Sequence, residues 1–141
     1  MTDLAARIQA KSLIQHHEGL RVFPYKDSVG LLTIGYGRNI EERGISKAEA
    51  VHLLENDMDM AIVDAKELAG DLWEGLSVNR KAALIDMSFN LGKSRLRMFK
   101  KMWRALKLEN YTDAAAEMED SMWAQQVGSR ATTLVKLMID G

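Results

Sequence analysis

Glu18-Gly19-Leu20-Arg21-Val22-Phe23-Pro24-Tyr25-Lys26-Asp27-Ser28-Val29-Gly30-Leu31-Leu32-Thr33-Ile34-Gly35-Tyr36-Gly37 is the stretch in which the chain changes structural type. Upstream of it, Leu4, Ile8, Leu13 and Ile14 are set among polar residues in an amphipathic pattern. Thr2 or Asp3 can cap the first turn, and Gly19 suits a helix stop. Downstream, Val22 to Tyr25 and Leu31 to Tyr36 are short β-rich bursts on either side of a turn composition, Lys26 to Gly30. Two or three short strands are expected. Glu18 then lies in the last helical turn, where the negative end of the helix dipole disfavours a charged carboxylate. That position is costly for stability and useful for an acid that must hold its proton.

Working outward, Asn39 to Gly44 reads as a polar connection, and Ser46-Lys47-Ala48-Glu49 has capping-box spacing. A long helix over 46–69 follows, with Val51, Leu54, Met58, Ala61, Ile62, Ala65 and Leu68 stepping by three or four. Gly70 and Gly75 mark a break, and Ser77 can cap the next helix. Its apolar residues, among them Val78, Leu84, Met87, Phe89 and Leu91, surround most of the cylinder, which places it at a bundle centre. Lys93 to Lys107 holds seven Lys or Arg and no acid, with Leu96, Phe99, Trp103 and Leu106 as its apolar stripe. It reads as one amphipathic basic helix. Tyr111 to Met122 is a further helix, with Thr112 a cap candidate and Ala115, Met118 and Met122 facing inward. Trp123 to Gly128 reads as short and irregular, and Ser129 to Ile139 as a last helix. The sum is α+β with helix dominant.

A chain of 141 residues, 47% hydrophobic, can bury one core, or one core plus a small lobe that shares an element with it. Nineteen Lys and Arg against 20 Asp and Glu leave a net charge of −1, so no nucleic-acid partner is expected and any electrostatic role must be local. The absence of cysteine excludes disulfides, thiolate metal sites and thiol nucleophiles. His16, His17 and His52 are not spaced as a metal set, so no metal or other cofactor is expected. The N-terminal residues show no signal-peptide h-region, which implies synthesis as a soluble cytoplasmic protein.

Taken alone, a Glu and an Asp nine residues apart mean little, since most acids are solvated surface groups. Context lifts this pair: a helix-end Glu18, a Lys26-Asp27 turn, and Thr33 six residues beyond in a β burst. A proton-bearing acid and a second carboxylate nearby are the parts that cleavage of a sugar–sugar bond requires.

Here the chain resembles the phage-type lysozymes, the endolysins of glycoside hydrolase family twenty-four. The resemblance runs through Glu18-Gly19-Leu20-Arg21, Tyr25-Lys26-Asp27, Thr33-Ile34-Gly35-Tyr36-Gly37 and Gly44-Ile45-Ser46. It continues in Asn79 to Ala83, Phe89-Asn90-Leu91-Gly92, Ser121-Met122-Trp123 and Ser129-Arg130-Ala131. It implies a lysozyme-like fold in a single domain 1–141. A small antiparallel β lobe (19–45) and a larger helical lobe (1–18 and 70–141) would be joined by a connecting helix (46–69), with a cleft between the lobes.

By the same resemblance, Glu18 is the general acid, and Asp27 with Thr33 holds the attacking water in an inverting hydrolysis of the peptidoglycan β-1,4 bond. Asn39, Phe89 and Asn90 match substrate-binding positions. Arg130 matches an arginine that neighbours the glutamate, with Trp123 a further supporting residue. The implied partner is peptidoglycan, with no stable membrane insertion, a monomeric state, and action at the cell wall after release. Two departures stand out: Arg38 occupies a position where many relatives have His, and the 39–45 connection is short.

The basic 93–107 segment supports a rival from another class, a cationic membrane- or wall-binding module acting without catalysis. A catalytically inert wall-binding relative is a second alternative.

Overall fold

The computed structural model describes residues 2–141, with side chains from Asp3 onward. Helix α1 (Thr2–Glu18) leads into three strands, β1 (Arg21–Lys26), β2 (Leu32–Gly35) and β3 (Arg38–Asn39). Helices α2 (Ile40–Arg43) and α3 (Lys47–Ala69) follow, then a 3-10 turn over Gly70–Gly75. The remainder is α4 (Val78–Leu91), α5 (Lys93–Arg97), α6 (Lys100–Lys107), α7 (Tyr111–Glu119), α8 (Met122–Val127) and α9 (Ser129–Asp140). This is the expected α+β fold, mostly helical with one small antiparallel sheet. The chain divides into two compact units, Met1–Val51 and His52–Gly141. Helix α1, assigned to the helical lobe on sequence, groups with the sheet: Gly19 passes directly into β1, and the Glu18 side chain packs on the β2–β3 turn.

In the first unit the strand order is β1-β2-β3. Tyr25 pairs with Thr33 and Lys26 with Leu32, but the register shifts between Arg21 and Tyr25. Pro24 lies inside that irregular stretch; it has no N–H to give a ladder, and an edge strand with a bulge is where a sheet tolerates it. The expected stop of α1 is present, with Gly19 at φ 67° donating its N–H to Gln15 O at 3.0 Å. The Thr2 cap falls on a side chain outside those described, and Asp3 sits inside the first turn. The 39–44 connection is not all loop. Asn39 caps the single turn α2 by accepting from Glu42 N at 3.0 Å, which a polar loop composition hides.

The capping box of α3 is reciprocal: Ser46 N–H donates to Glu49 Oε1 at 2.9 Å, and Glu49 N–H donates to Ser46 Oγ at 3.1 Å. Arg38 closes a fork on the same carboxylate, Nη1 to Oε1 and Nη2 to Oε2, both at 2.9 Å. The Arg38 hydrogen bond first, then those from Ser46, lower the Glu49 pKa from an ordinary 4.5 to about 2. A depressed folded-state value means the contribution to stability is present above the unfolded value and is lost as pH falls through the folded one. The excess stability of wild type over Glu49→Gln is therefore expected to shrink as pH drops from 4.5 to about 2, as read by paired thermal melts. A difference that survives unchanged at the acid end would refute this account.

The second unit packs around α4, whose Ala83, Leu84, Met87 and Ser88 are buried. Ser77 caps it as expected, accepting from Arg80 N at 3.2 Å. Its surroundings are less uniform than the sequence suggests, because Val78 is 82% and Phe89 42% exposed. Arg80 ties two neighbours to it: its guanidinium donates to Met138 O and Ile139 O at the end of α9 and stacks 3.5 Å from the Tyr111 ring centroid on α7.

Three sequence expectations change here. The basic segment is two helices, broken at Met98-Phe99, and the Trp103 indole N–H donates to Leu96 O at 3.0 Å across the break. The cap of α7 is Asn110, which accepts from Asp113 N at 3.1 Å, rather than Thr112. That helix ends at Glu119, and Ser121 caps a new one, α8, where an irregular stretch was expected. Met122 is thereby turned outward and is 74% exposed.

Candidate active site

Glu18 ends α1, and its carboxyl group lies against the β2–β3 turn. A Cβ built on Gly37 would come within 2.9 Å of both Glu18 Cδ and Oε2. Gly37 is therefore required twice, once for its φ of 80° and once for the room it leaves. Gly37→Ala is expected to cost about 1–2 kcal/mol in backbone strain and to push the Glu18 carboxyl out of place. A crystal structure of the variant would check this, and an unmoved carboxylate would sink the idea.

Asp27 begins the β1–β2 turn. Its Oδ1 accepts two backbone hydrogen bonds, from Val29 N and Leu31 N, each at 2.9 Å, and its own N–H donates to Leu31 O at 2.9 Å. The second carboxylate oxygen takes no part in that turn. Thr33, 3% exposed on β2, donates its hydroxyl hydrogen to Leu31 O at 2.9 Å. One residue thus anchors both groups: Leu31 N–H holds the aspartate and Leu31 C=O holds the threonine. With its hydrogen committed, Thr33 Oγ1 has lone pairs left to accept.

Asn39 pairs opposite Thr33 in the β2–β3 ladder. Its carboxamide is engaged in the α2 cap, with Nδ2 donating to Glu42 Oε2 at 3.2 Å.

In the second unit, Phe89 lines two hollows. One, of about 340 Å³, is mainly apolar and includes Leu54, Met58, Ile85, Asp86 and Arg130; the other, of about 310 Å³, includes Asp57, Asp64 and Gly92. The Asn90 carboxamide is oriented by Trp123, whose indole N–H donates to Asn90 Oδ1 at 2.8 Å. Asn90 Nδ2 then remains the group's donor. Trp123 is itself 4% exposed and sits edge-on to Phe99, with centroids 6.1 Å apart. The carboxylate that Arg130 pairs with is Asp86, at 2.6 Å.

Two participants escaped the sequence reading. Asp86 was signalled by being the one acid in α4. The Leu31 backbone had no signal, because a backbone group's partners are not encoded in its side chain.

The profile of the family described as Phage lysozyme matches residues 15–137. The chain is 26% identical to "Probable T4-type lysozyme 2" of Dictyostelium discoideum, the match covering 93% of this chain and 94% of that protein. It is 25% identical to "Pre-baseplate central spike protein Gp5" of Enterobacteria phage T4, over 99% of this chain and 29% of that one. It is 30% identical to "Peptidoglycan hydrolase gp36" of Pseudomonas phage phiKMV, over 86% of this chain and 14% of that one. With the family profile spanning most of the sequence, from just before Glu18 to beyond Arg130, the chain belongs to the phage lysozyme family.

Proposed function

We propose that the protein is a muramidase that hydrolyses the β-1,4 bond between N-acetylmuramic acid and N-acetylglucosamine in peptidoglycan, with inversion at the anomeric carbon. Family membership and a relative named as a peptidoglycan hydrolase support the reaction class. The residue roles rest on one observation above all. Asp27 accepts from the N–H of Leu31 and Thr33 donates to the C=O of the same residue, and each keeps an acceptor oxygen uncommitted to that anchor.

A water between these two oxygens would donate one hydrogen to Asp27 and one to Thr33 Oγ1, leaving its lone pair for the sugar. Glu18, protonated, gives its hydrogen to the glycosidic oxygen as the C1–O bond breaks. The water oxygen bonds to C1 from the other face, and its released proton passes to the Asp27 carboxylate. One water is consumed and one free C4 hydroxyl is formed.

The Glu18 carboxyl rests at the turn after β2, and Asp27 is held at Leu31, just before that strand. Inversion requires the two carboxyl groups about 6.5–9.5 Å apart, with room for the water, where a retaining pair stands at about 5–5.5 Å.

In the second unit, Phe89 supplies an aromatic wall for the apolar face of a sugar and Asn90 an oriented amide for an N-acetyl group. Trp123 fixes that amide, and Arg130 is held by Asp86. Asn39 remains a candidate contact through the outer edge of its carboxamide. Among the described residues no helix is long and apolar enough to cross a membrane. The decisive measurement is the NMR anomeric signal of the first product from a peptidoglycan oligosaccharide. An initial excess of the α-anomer is expected, and a retained β product would overturn the roles of Asp27 and Thr33.

A further inference from the structure

Seven of the 19 basic residues lie between Lys93 and Lys107, a segment with no acid, and the reaction proposed above uses none of them. Lys93 pairs with Glu67. Among the described residues, Arg95, Arg97, Lys100, Lys101, Arg104 and Lys107 form no ion pair, and all six are exposed.

Their placement follows from the packing of α6. Met102, Trp103, Ala105 and Leu106 are buried in the core, so the helix turns a continuous outer arc of Lys107, Lys100, Arg104 and Lys101 to solvent. A charged helix whose apolar face is already spent cannot insert into a bilayer as an interfacial helix does, but it can lie on a charged surface. Helix α7 brings Asp113, Glu117 and Asp120 to the grooves beside Arg95, Lys101 and Arg104. That flank is mixed in sign; Lys100 also lines one of the acid-bearing grooves, whereas Arg97 and Lys107 line neither.

Large apolar side chains accompany the cations. Met98, in the bend between α5 and α6, is 69% exposed; Leu108, at the end of α6, is 74% exposed; Met122 is 74% exposed. A soluble polyanion offers nothing to these three, whereas the boundary of a bilayer presents phosphate and, just beneath it, hydrocarbon.

We infer that the outer face of α5 and α6 docks on an anionic phospholipid surface, peripherally and through charge, with Met98 and Leu108 reaching the headgroup boundary. This attachment is independent of hydrolysis, so its failure leaves the assignment of Glu18, Asp27 and Thr33 untouched.

The test is co-sedimentation of the full chain with vesicles of phosphatidylglycerol and phosphatidylethanolamine, against vesicles of phosphatidylcholine alone. Partitioning to the anionic vesicles only, lost as salt rises from about 0.05 to about 0.5 M, is expected. Lys100→Gln, Arg104→Gln and Lys107→Gln together should weaken it roughly a hundredfold, at about fivefold per cation removed. The matched triple Lys11→Gln, Arg43→Gln, Lys66→Gln should weaken it far less, and circular dichroism would establish that both triples fold. Met98→Ser with Leu108→Ser should weaken vesicle binding and leave any binding to soluble polyphosphate unchanged. Equal partitioning to neutral vesicles, equal loss in the two triples, or capture by polyphosphate without vesicle binding would each overturn the inference.

Discussion

Glu18→Gln should lower peptidoglycan hydrolysis by roughly 10²–10⁴-fold, the range that a positioned general acid contributes, while leaving the fold intact and marginally more stable. The two halves of that result pull in opposite directions for a physical reason. Glu18 closes α1 at the negative end of its dipole, an exposed position where a neutral amide of the same size relieves about 0.3–1 kcal/mol of unfavourable interaction. A residue kept for stability would show the reverse, a loss of stability with activity following it. Asp27→Asn separates the roles further. Its amide oxygen can still accept from Val29 N and Leu31 N, so the turn should survive, but the uncharged side chain cannot take a proton from the water. Turbidity clearing and reducing-end release, alongside thermal melts of both variants, make the comparison. Full lysis by a folded Glu18→Gln protein would remove the general acid from the scheme and return the cationic, non-catalytic reading to first place.

What the sequence made legible were features that a few neighbouring residues decide among themselves. Gly19 stops α1, Ser46 and Glu49 box the start of α3, Ser77 caps α4, and the Lys26 to Gly30 composition turns the first hairpin. Each involves partners at most six residues apart. The features that escaped depend on distant or backbone partners. Lys93 to Lys107 keeps an unbroken amphipathic pattern with no Gly or Pro, yet the chain breaks at Met98-Phe99. Helix α8 spans six residues, too few for a period to register, and depends on the Ser121 hydroxyl accepting from Ala124 N. In the candidate site, Glu18, Asp27 and Thr33 were picked out by the family resemblance. The packing of Glu18 on Gly37 and the shared anchor at Leu31 were not, because both are meetings of side chain with backbone.

Trp103→Ala should be the most damaging single change to stability, with a loss of about 4–6 kcal/mol against a total of about 5–15 kcal/mol for a protein. Two effects combine in that estimate. Trp103 is 9% exposed within the α6 core face, and truncating so large a buried aromatic costs about 3–5 kcal/mol in lost burial and residual cavity. Its indole N–H is also a second donor to Leu96 O, which the Phe99 N–H still reaches at 3.2 Å, so losing it adds about 0.5–1.5 kcal/mol. The two terms overlap where the cavity lets water reach the carbonyl, so they do not sum in full. Trp103→Phe divides them, since it keeps most of the apolar volume and loses the indole hydrogen bond, and should cost about 1–2 kcal/mol. Urea unfolding should show a lowered midpoint with unchanged m for both variants. A Trp103→Phe protein within about 0.5 kcal/mol of wild type would mean that the bond to Leu96 does not hold the bend between α5 and α6. The angle at which those two helices present their cations would then need another cause.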